Sequence, residues 1–378
     1  MNNIRNNEPI RVLHVIGTMN RGGAETMIMN LFRSIDREKV VFDFVEHCEV
    51  SAAYDDEITR LGGKIYRCPR YTGKNHFAYI KWWKSFFNEH ACDYKIVHGH
   101  IGSTAAIFLS IAKQHGLYTI AHSHNTDSTM SFRELIYKLY SYRTRSVAQY
   151  FFACSEKAGK DRFGVQIAEH GKEYRVLKNA IDVEAFRFCP SIREQMRRQQ
   201  GILKESFVVG HVGRFYQQKN HLFLIDVFYE ISKTEPNAKL LLVGDGPMLQ
   251  QIADKVKSLG LENTVCFTGV RSDVNKLMQA MDALVFPSLN EGLPVTLVEA
   301  QSAGLPCIIS DCIPKDAIIT HDLVSTLSLN DSPKQWADCV LARGKEVRTD
   351  HSEEIKAAGF DIHETAKWLE DFYLDKAK

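Results

Sequence analysis

The chain has 378 residues, of which 44% are hydrophobic and 25% charged. At about 100–200 residues per domain this length predicts two domains, and the average composition excludes a disordered chain or a fibre. The formal net charge is +1, but residues 1–180 hold 25 Lys and Arg against 18 Asp and Glu, which leaves 22 against 28 for residues 181–378. The net charge of the first half is therefore +7 and that of the second half −6, so we expect the first half to meet an anionic partner. The density of basic residues is too low for a nucleic-acid-binding protein.

The apolar runs are too short to cross a bilayer. Residues 105–112 and 147–153 fall well below the roughly 20 residues that a membrane span needs, and the polar start of the chain lacks a secretory signal. The nine cysteines include no Cys-x2-Cys pair, and Cys307 and Cys312 lack matched His or Cys partners. We therefore expect a cytoplasmic protein with reduced thiols and no zinc site at Cys307 and Cys312.

In the first half, short β-branched runs alternate with helical patterns. The pattern predicts helices at 24–35 and 104–115 and strands at 11–16, 41–46, 94–98, 118–121 and 150–153. The regularity is lost near residues 176–182, and a charged stretch at 191–204 precedes a new strand. We therefore predict a first domain at residues 1–182 and a linker at 183–205.

The alternation then resumes. The pattern predicts helices at 221–233, 248–259, 274–281 and 295–303, among strands at 207–212, 239–243, 264–267, 283–286 and 307–310. These elements predict a second domain at residues 206–358 and a closing helix within 359–378, which we expect to pack back on the first domain. The fold class is thus α/β with two parallel sheets in series, and we expect ligands beyond the carboxyl ends of the strands, in the cleft between the domains.

Glycines follow the first strand and open a helix at Gly22 and Gly23, a setting that favours an anion at the helix N-terminus. The run is neither Gly-x-Gly-x-x-Gly nor a phosphate-binding P-loop. A tight structural turn is the alternative interpretation.

Two cations, Arg214 and Lys219, share the loop that follows the strand at 207–212. An Arg fork and a mobile Lys at a carboxyl edge can together neutralise a diphosphate. The alternative is a pair of solvated surface cations.

The stretch 286–300 contains a strand end, a Gly/Pro turn and a new helix that begins near Pro294. Free N–H groups in the first turn suit a phosphate, while Glu291 and Glu299 suit sugar hydroxyls. Taken alone, two glutamates eight positions apart would be ordinary surface charges.

The motifs together resemble the retaining glycosyltransferases of family 4, in particular bacterial exopolysaccharide and capsule enzymes. The resemblance covers almost the whole chain and is carried by Glu291-x7-Glu299, Gly213-Arg214 with Lys219, Gly244-Asp-Gly-Pro247, Gly22-Gly23-Ala-Glu25, Lys178-Asn-Ala-Ile-Asp182 and Phe267-Thr-Gly-Val270. It implies the GT-B fold, with two Rossmann-like domains facing a cleft, an acceptor-side first domain and a nucleotide-sugar-binding second domain. The chain departs from the family's pattern in having Leu177-Lys178 for the usual Ile-Pro and Ala180 for Gly.

The resemblance also implies roles for individual residues. The residues implied in catalysis are Glu291, His124, Arg214 and Lys219. The residues implied in donor binding are Gly22, Gly23, Arg214, Lys219, Val270, Arg271, Glu291, Gly292, Leu293, Pro294, Val295, Thr296 and Glu299. The implied reaction retains the configuration of the sugar and needs neither a metal ion nor a cofactor, since the cations and helix amides stabilise the leaving diphosphate.

The expected partners are a nucleoside-diphosphate sugar, UDP-linked by the resemblance, and a glycan or lipid-linked acceptor. Residues 60–84 carry seven basic and no acidic side chains among aromatic ones, which is typical of a surface that rests on anionic lipid at the inner face of the cell membrane, or of an ordinary basic face. A nucleotide-sugar epimerase or hydrolase and a non-catalytic nucleotide-sugar-binding protein stay open as alternatives. A nicotinamide oxidoreductase lacks its glycine fingerprint.

Overall fold

The computed structural model describes residues 8–20, 22–124 and 142–378. The chain divides into two compact units: unit 1 is Met1–Ala180 with Ile362–Lys378, and unit 2 is Ile181–Asp361. In the described ranges, no helix has both the length and the apolar character that a membrane span requires.

Each unit contains one parallel sheet. In unit 1 the order is β3-β2-β1-β4-β5-β6-β7, and the strands are β1 Ile10–Ile16, β2 Val40–Glu46, β3 Ile65–Arg67, β4 Ile96–Gly99, β5 Tyr118–Ser123, β6 Tyr150–Ala153 and β7 Tyr174–Val176. In unit 2 the order is β10-β9-β8-β11-β12-β13, and the strands are β8 Val208–Val212, β9 Lys239–Val243, β10 Val265–Gly269, β11 Ala283–Phe286, β12 Cys307–Ser310 and β13 Val324–Leu327. The inner strands are buried on both faces, which is why they read as continuous apolar runs.

Helices cover the sheets. In chain order they are α1 Gly23–Ser34, α2 Asp55–Arg60, α3 His76–His90, α4 Ala105–Gln114, α5 Glu156–Phe163, α6 Val165–His170, α7 Val183–Phe186, α8 Pro190–Gln199, α9 His221–Thr234, α10 Leu249–Ser258, α11 Val274–Ala280, α12 Val295–Ser302, α13 Pro333–Arg343, α14 Ser352–Ala357 and α15 Ile362–Lys376. Short 3-10 turns occupy Ala91–Asp93, Gln217–Lys219 and Lys315–Ala317.

The C-terminal helix α15 completes the core of unit 1. Leu369 and Tyr373 are fully buried there with Phe42 of β2 and Phe32 of α1. The closing helix therefore packs on the first sheet, as expected, and completes the unit in which the chain begins.

Residues 183–205 differ from the linker that we expected. They belong to unit 2 and form α7 and α8. Arg193 and Arg197 of α8 each bind the Asp282 carboxylate, at 2.6 and 2.7 Å. The charged pattern therefore reflects ion pairs within unit 2 rather than a solvated spacer.

Within the segment 60–84, the aromatic residues on helix α3 lie on two different faces, one buried and one exposed. Tyr79 and Trp83 are fully buried, whereas Phe77 is 86% exposed. If residues 60–84 rest on lipid, their tryptophans are expected to insert into the membrane. For Trp83 this expectation is wrong, because helical spacing places it on the face that packs on the sheet. Lys81 and Lys84 are exposed.

Candidate active site

Two loops interlock at the carboxyl ends of β8 and β9. The Gly213 amide donates to the Val243 carbonyl at 3.0 Å, and the Phe215 amide donates to the Asp245 carbonyl at 2.9 Å. Gly244 has φ +139°, and a Cβ at this position would collide with the Gly213 carbonyl oxygen. Glycine is therefore required for this close approach, which fixes the backbone on both sides of Arg214.

The loops that follow β8 and β11 are joined by an ion pair. Lys219 Nζ lies 2.7 Å from Glu291 Oε1, and only 17% and 9% of the two side chains is exposed. Gln218 supports the contact, since its side chain donates to the Asn290 carbonyl at 2.7 Å and its own carbonyl accepts from the Leu289 amide at 2.8 Å. The structure thus brings together two residues that the sequence analysis predicted at one site.

Helix α12 begins beside this ion pair. Pro294 precedes its first residue, and the Leu297 amide donates back to the Pro294 carbonyl at 2.9 Å. Gly292 is exposed, and Val295 and Thr296 are half-buried. Because the first N–H groups of a helix have no intrahelical acceptor, the amides of Val295 and Thr296 can bind an anion.

Glu299 lies one turn further along α12. Its carboxylate has no hydrogen-bond or ion-pair partner within the described part of the chain. Burial raises the pKa of this carboxyl to about 7, because desolvation disfavours the charged form. An unpartnered, half-buried carboxyl is ready to accept hydrogen bonds from ligand hydroxyl groups.

The remaining predicted residues of unit 2 lie around the same sheet edge. Arg214 is exposed in its loop, and Val270, which directly follows β10, is 56% exposed. Arg271 forms two hydrogen bonds with Asp273, both of 2.8 Å, so its guanidinium is held at the surface. A cavity of about 530 Å³ is lined by residues of these loops, among them Tyr216 and Leu289, and none of the predicted site residues lines it.

Comparison with known proteins decides the family. The model of the family described as glycosyl transferases group 1 matches residues 192–341. The Bacillus subtilis (strain 168) protein named "Putative glycosyltransferase EpsF" is 34% identical over 375 residues, which cover 97% of each chain. The chain belongs to the group 1 glycosyltransferases. The recognition from motifs and the prediction of a glycosyltransferase enzyme are thereby confirmed.

Other relatives of this glycosyltransferase are more distant. The UDP-Gal:alpha-D-GlcNAc-diphosphoundecaprenol alpha-1,3-galactosyltransferase of Escherichia coli is 26% identical over 75% of this chain and 76% of its own length. The capsular polysaccharide biosynthesis glycosyltransferase CapH of Staphylococcus aureus is 24% identical, over 97% and 99%. The solved structure of Anabaena HepE in complex with UDP has 18% identity and a TM-score of 0.77 over 97% of this chain and 100% of that one. This likeness confirms the GT-B fold class.

One buried residue near the glycosyltransferase site was missed from the sequence. His211 lies in β8, and its Nδ1 is 2.8 Å from the Val285 carbonyl oxygen. Its Nε2 has no partner in the described residues, and a Cβ on Gly213 would lie only 3.3 Å from that atom. Burial, followed by neighbouring His221, holds the pKa of His211 well below its usual range. A histidine inside an apolar strand gives no signal in the sequence.

In unit 1, the predicted glycines open α1. A Cβ on Gly22 would collide with the carboxylate of Glu25, which folds back toward the start of the helix, whereas Gly23 has open space around it. An anion at this N-terminus would therefore meet a carboxylate. The structure gives a local reason for glycine at position 22, and the donor role of both glycines stays a prediction.

His124, which we predicted to act in catalysis, directly follows β5 and is half-buried. Its Nε2 lies 2.7 Å from Nδ1 of His100, and its Nδ1 has no partner in the described residues. Burial lowers the pKa of His124 to about 4, so the ring is neutral at pH 7. A neutral ring can offer a lone pair or a single N–H group, but no positive charge.

Proposed function

We propose that this glycosyltransferase transfers a sugar from a UDP-linked donor to a hydroxyl group of a lipid-linked glycan during the assembly of a bacterial polysaccharide. The observation that carries the proposal is the Lys219–Glu291 ion pair beside the start of α12, with the unpartnered Glu299 one turn away. Cations, amides and carboxylates at one sheet edge match the diphosphate and hydroxyl groups of a nucleotide sugar.

The relatives support both substrates. The name of the Escherichia coli enzyme specifies a UDP-sugar donor and a diphosphoundecaprenol acceptor. The HepE structure contains UDP, and the name of CapH refers to capsular polysaccharide.

In the proposed complex, Arg214 and Lys219 neutralise the diphosphate, and the first amides of α12 bind its oxygens. Glu299 accepts hydrogen bonds from the ribose hydroxyls. The exposed Val270 and the loop of Arg271 contact the nucleobase. Backbone groups of residues 292–296 complete the donor contacts.

The proposed chemistry follows from where charge develops. As the bond from the sugar to the diphosphate breaks, negative charge grows on the leaving phosphate, where Arg214, Lys219 and the helix amides stabilise it. These groups supply the charge compensation that a metal ion would otherwise provide. Glu291 contacts the donor sugar. The acceptor hydroxyl attacks the face from which the diphosphate leaves and gives its proton to an oxygen of that diphosphate, so the configuration is retained. His124 is proposed to assist at the reacting sugar.

The test is a donor and acceptor assay on the purified full chain. UDP-glucose, UDP-galactose and UDP-N-acetylglucosamine are supplied with and without a diphosphoundecaprenol-linked sugar, and UDP release and the extended lipid product are measured. Acceptor-dependent UDP release that persists in EDTA, with an α-linked product from an α-linked donor, is expected. Release without an acceptor indicates a hydrolase, an altered free nucleotide sugar indicates an epimerase, and binding without turnover indicates a non-catalytic protein.

A basic face of α3 is the proposed route to a lipid-linked acceptor. Phe77, Lys81 and Lys84 follow at spacings of four and three, so they share one side of the helix, and all three are exposed. Lys74, just before the helix, is also exposed. An exposed aromatic ring among lysines suits the surface of an anionic bilayer.

A further inference from the structure

Five histidines gather at the carboxyl end of the sheet in unit 1. His98 and His100 are separated by one residue, as are His122 and His124, so each pair points to one side of its strand. His14 of β1 pairs in register with His98 of β4. Ring centroids of adjacent members lie 4.0–5.3 Å apart. We call this group the histidine cluster.

Hydrogen bonds link the rings in two chains. His100 Nε2 lies 2.9 Å from His14 Nδ1, and His100 Nδ1 lies 2.7 Å from His124 Nε2. His98 Nε2 lies 3.2 Å from His122 Nδ1, while His98 Nδ1 is 2.6 Å from the hydroxyl of Tyr373. The rings are therefore held in defined orientations.

Three ring nitrogens are left over. His122 Nε2, His124 Nδ1 and His14 Nε2 are buried and have no hydrogen-bond partner in the described part of the chain. Leaving a buried polar nitrogen unpaired costs about 1–3 kcal/mol, so a group of such atoms in one place calls for an explanation.

We propose that His100, His122 and His124 form a binding site for one divalent transition-metal ion of the Zn²⁺ type. One ligand nitrogen from each ring lies within 4.8 Å of the other two. Imidazole nitrogen favours zinc, nickel and copper over magnesium and calcium, and three histidines with an open fourth position are a recurrent zinc arrangement.

The surroundings supply the outer contacts that such a site needs. His122 can bind the ion through the unpaired Nε2 while its Nδ1 stays bonded to His98, and His98 is fixed in turn by Tyr373. His100 keeps its contact to His14. Hydrogen bonds of this kind orient metal-binding rings. Each ligand keeps its single proton on the nitrogen that does not bind the ion. His100 then binds through Nδ1, so the ion replaces the hydrogen bond between His100 Nδ1 and His124 Nε2.

Access distinguishes this trio from its neighbour. His100 and His124 are half-buried, whereas His14 and His98 are fully buried. The alternative trio of His14, His98 and His100 includes two fully buried rings, whereas only His122 is fully buried in the proposed trio. None of the groups proposed to stabilise the leaving diphosphate belongs to the trio, whereas His124 is also proposed to assist at the reacting sugar.

The test is titration of the metal-free full chain with Zn²⁺ by calorimetry and with Co²⁺ by visible absorption. One ion per chain is expected, with the intense visible bands of four-coordinate Co²⁺ and without a near-ultraviolet thiolate band, since no cysteine belongs to the trio. His122→Gln and His124→Asn should each weaken binding by about 100-fold or more, because loss of a ligand costs more than the roughly 10–100-fold that follows from loss of an outer contact. Circular dichroism verifies that each variant folds, and the half-buried His124 tolerates substitution better than the buried His122.

The matched control is His351→Gln. His351 groups with Asp322 and Glu354 in unit 2, but its Nδ1 lies 2.9 Å from Glu354 and its Nε2 lies 2.7 Å from Thr349. The control should bind the ion as the natural chain does. Absence of binding, a thiolate band, or equal affinity in folded His122→Gln and His124→Asn would overturn the proposal, as would loss of the ion in His351→Gln.

Discussion

Lys219 and Glu291 lie 72 positions apart in the sequence, yet Nζ of one is 2.7 Å from Oε1 of the other. In the absence of a ligand, the cation that we assign to the diphosphate is thus neutralised by the carboxylate that we assign to the sugar. A donor that binds Lys219 must share or replace this contact. The two residues therefore act as a pair. Substitution of Lys219 and substitution of Glu291 should differ in their effects on binding and on turnover.

Lys219→Ala should weaken UDP binding by about 10–100-fold. The substitution removes a charge-assisted hydrogen bond worth about 1.5–3 kcal/mol, and it leaves Glu291 as an unpaired carboxylate that repels the diphosphate. Calorimetry with UDP measures the effect. Lys233→Ala is the matched control, because Lys233 forms an equally short ion pair with Glu230 on the exposed side of α9. Unchanged UDP affinity in folded Lys219→Ala would contradict the diphosphate role.

Glu291→Gln should lower turnover by about 10-fold or more with little loss of UDP affinity. The amide keeps the size of the side chain and removes its charge, so Lys219 becomes more available to the diphosphate while the contact to the sugar is weakened. Steady-state kinetics and calorimetry on the same preparation separate the two effects. Wild-type turnover in this variant would show that the carboxylate takes no part in the reaction.

Glu299 should make donor binding depend on pH. Because the pKa of its carboxyl is raised to about 7, the group gains its charge as the pH rises from 6 to 8, and its hydrogen bonds to hydroxyl groups become charge-assisted. UDP-glucose affinity should therefore increase over this range, and Glu299→Gln should remove the increase. UDP-glucose is the suitable probe because its diphosphate does not titrate there. Glu262→Gln, at an exposed position, should behave as the natural chain does.

The same carboxyl should make the unliganded protein less stable as the pH rises, whereas it makes donor binding tighter. Its folded-state pKa of about 7 exceeds the ordinary glutamate value of 4.5, so the folded chain holds an additional proton between these values. The free energy of unfolding then falls as the pH rises from about 4.5 to 7. Glu299→Gln should be more stable than the natural chain at pH 8, by about 1–3 kcal/mol, and equal to it at pH 4.5. Thermal unfolding without ligand at both pH values measures this difference.

The inner strands of both sheets could be predicted from the sequence, but the edge strands could not. Strands at 150–153, 239–243, 283–286 and 307–310 match the structure residue for residue. Three of the four edge strands, β3, β7 and β13, were missed. Their residues are mostly half-buried, so they lack the continuous apolar pattern that marks a strand covered on both faces.

Residues of the candidate site could be predicted where a single loop of the sequence contains the whole motif. Lys219 and Glu291 each follow a strand end, and parallel topology places such loops at one sheet edge. The histidine cluster could not be predicted from the loop sequences alone. His14, His98 and His122 lie within separate strands, and only the register between those strands brings their rings together. A single sequence does not contain that register.

Gly246→Ala should weaken UDP binding while the protein stays folded. A Cβ on Gly246 would lie 2.6 Å from the Phe215 carbonyl oxygen and 2.8 Å from its amide nitrogen, so the loop that carries Arg214 must move. Gly260→Ala is the matched control, because Gly260 has φ +67° and open space around it. The control should lose about 1 kcal/mol of stability without a change in UDP affinity. Tight UDP binding in Gly246→Ala would show that the loop position does not matter.

The basic face of α3 should bind anionic membranes reversibly. Each lysine near an anionic surface contributes about 1 kcal/mol, and the exposed Phe77 adds apolar contact in place of the buried Trp83. The full chain should therefore co-sediment with vesicles that contain phosphatidylglycerol, and it should be released by 0.5 M salt because screening weakens the attraction. Binding to vesicles of phosphatidylcholine alone should be absent.

Substitution of Lys74, Lys81 and Lys84 by Ser should abolish this co-sedimentation. Substitution of Lys113, Lys157 and Lys172 by Ser removes the same charge from exposed positions elsewhere in unit 1, and it should leave most of the binding intact. Equal losses in the two triple variants would mean that net charge, rather than this face, attracts the membrane. If the natural chain does not bind anionic vesicles at low salt, the prediction is wrong, and the lipid-linked acceptor reaches the enzyme without a membrane contact through α3.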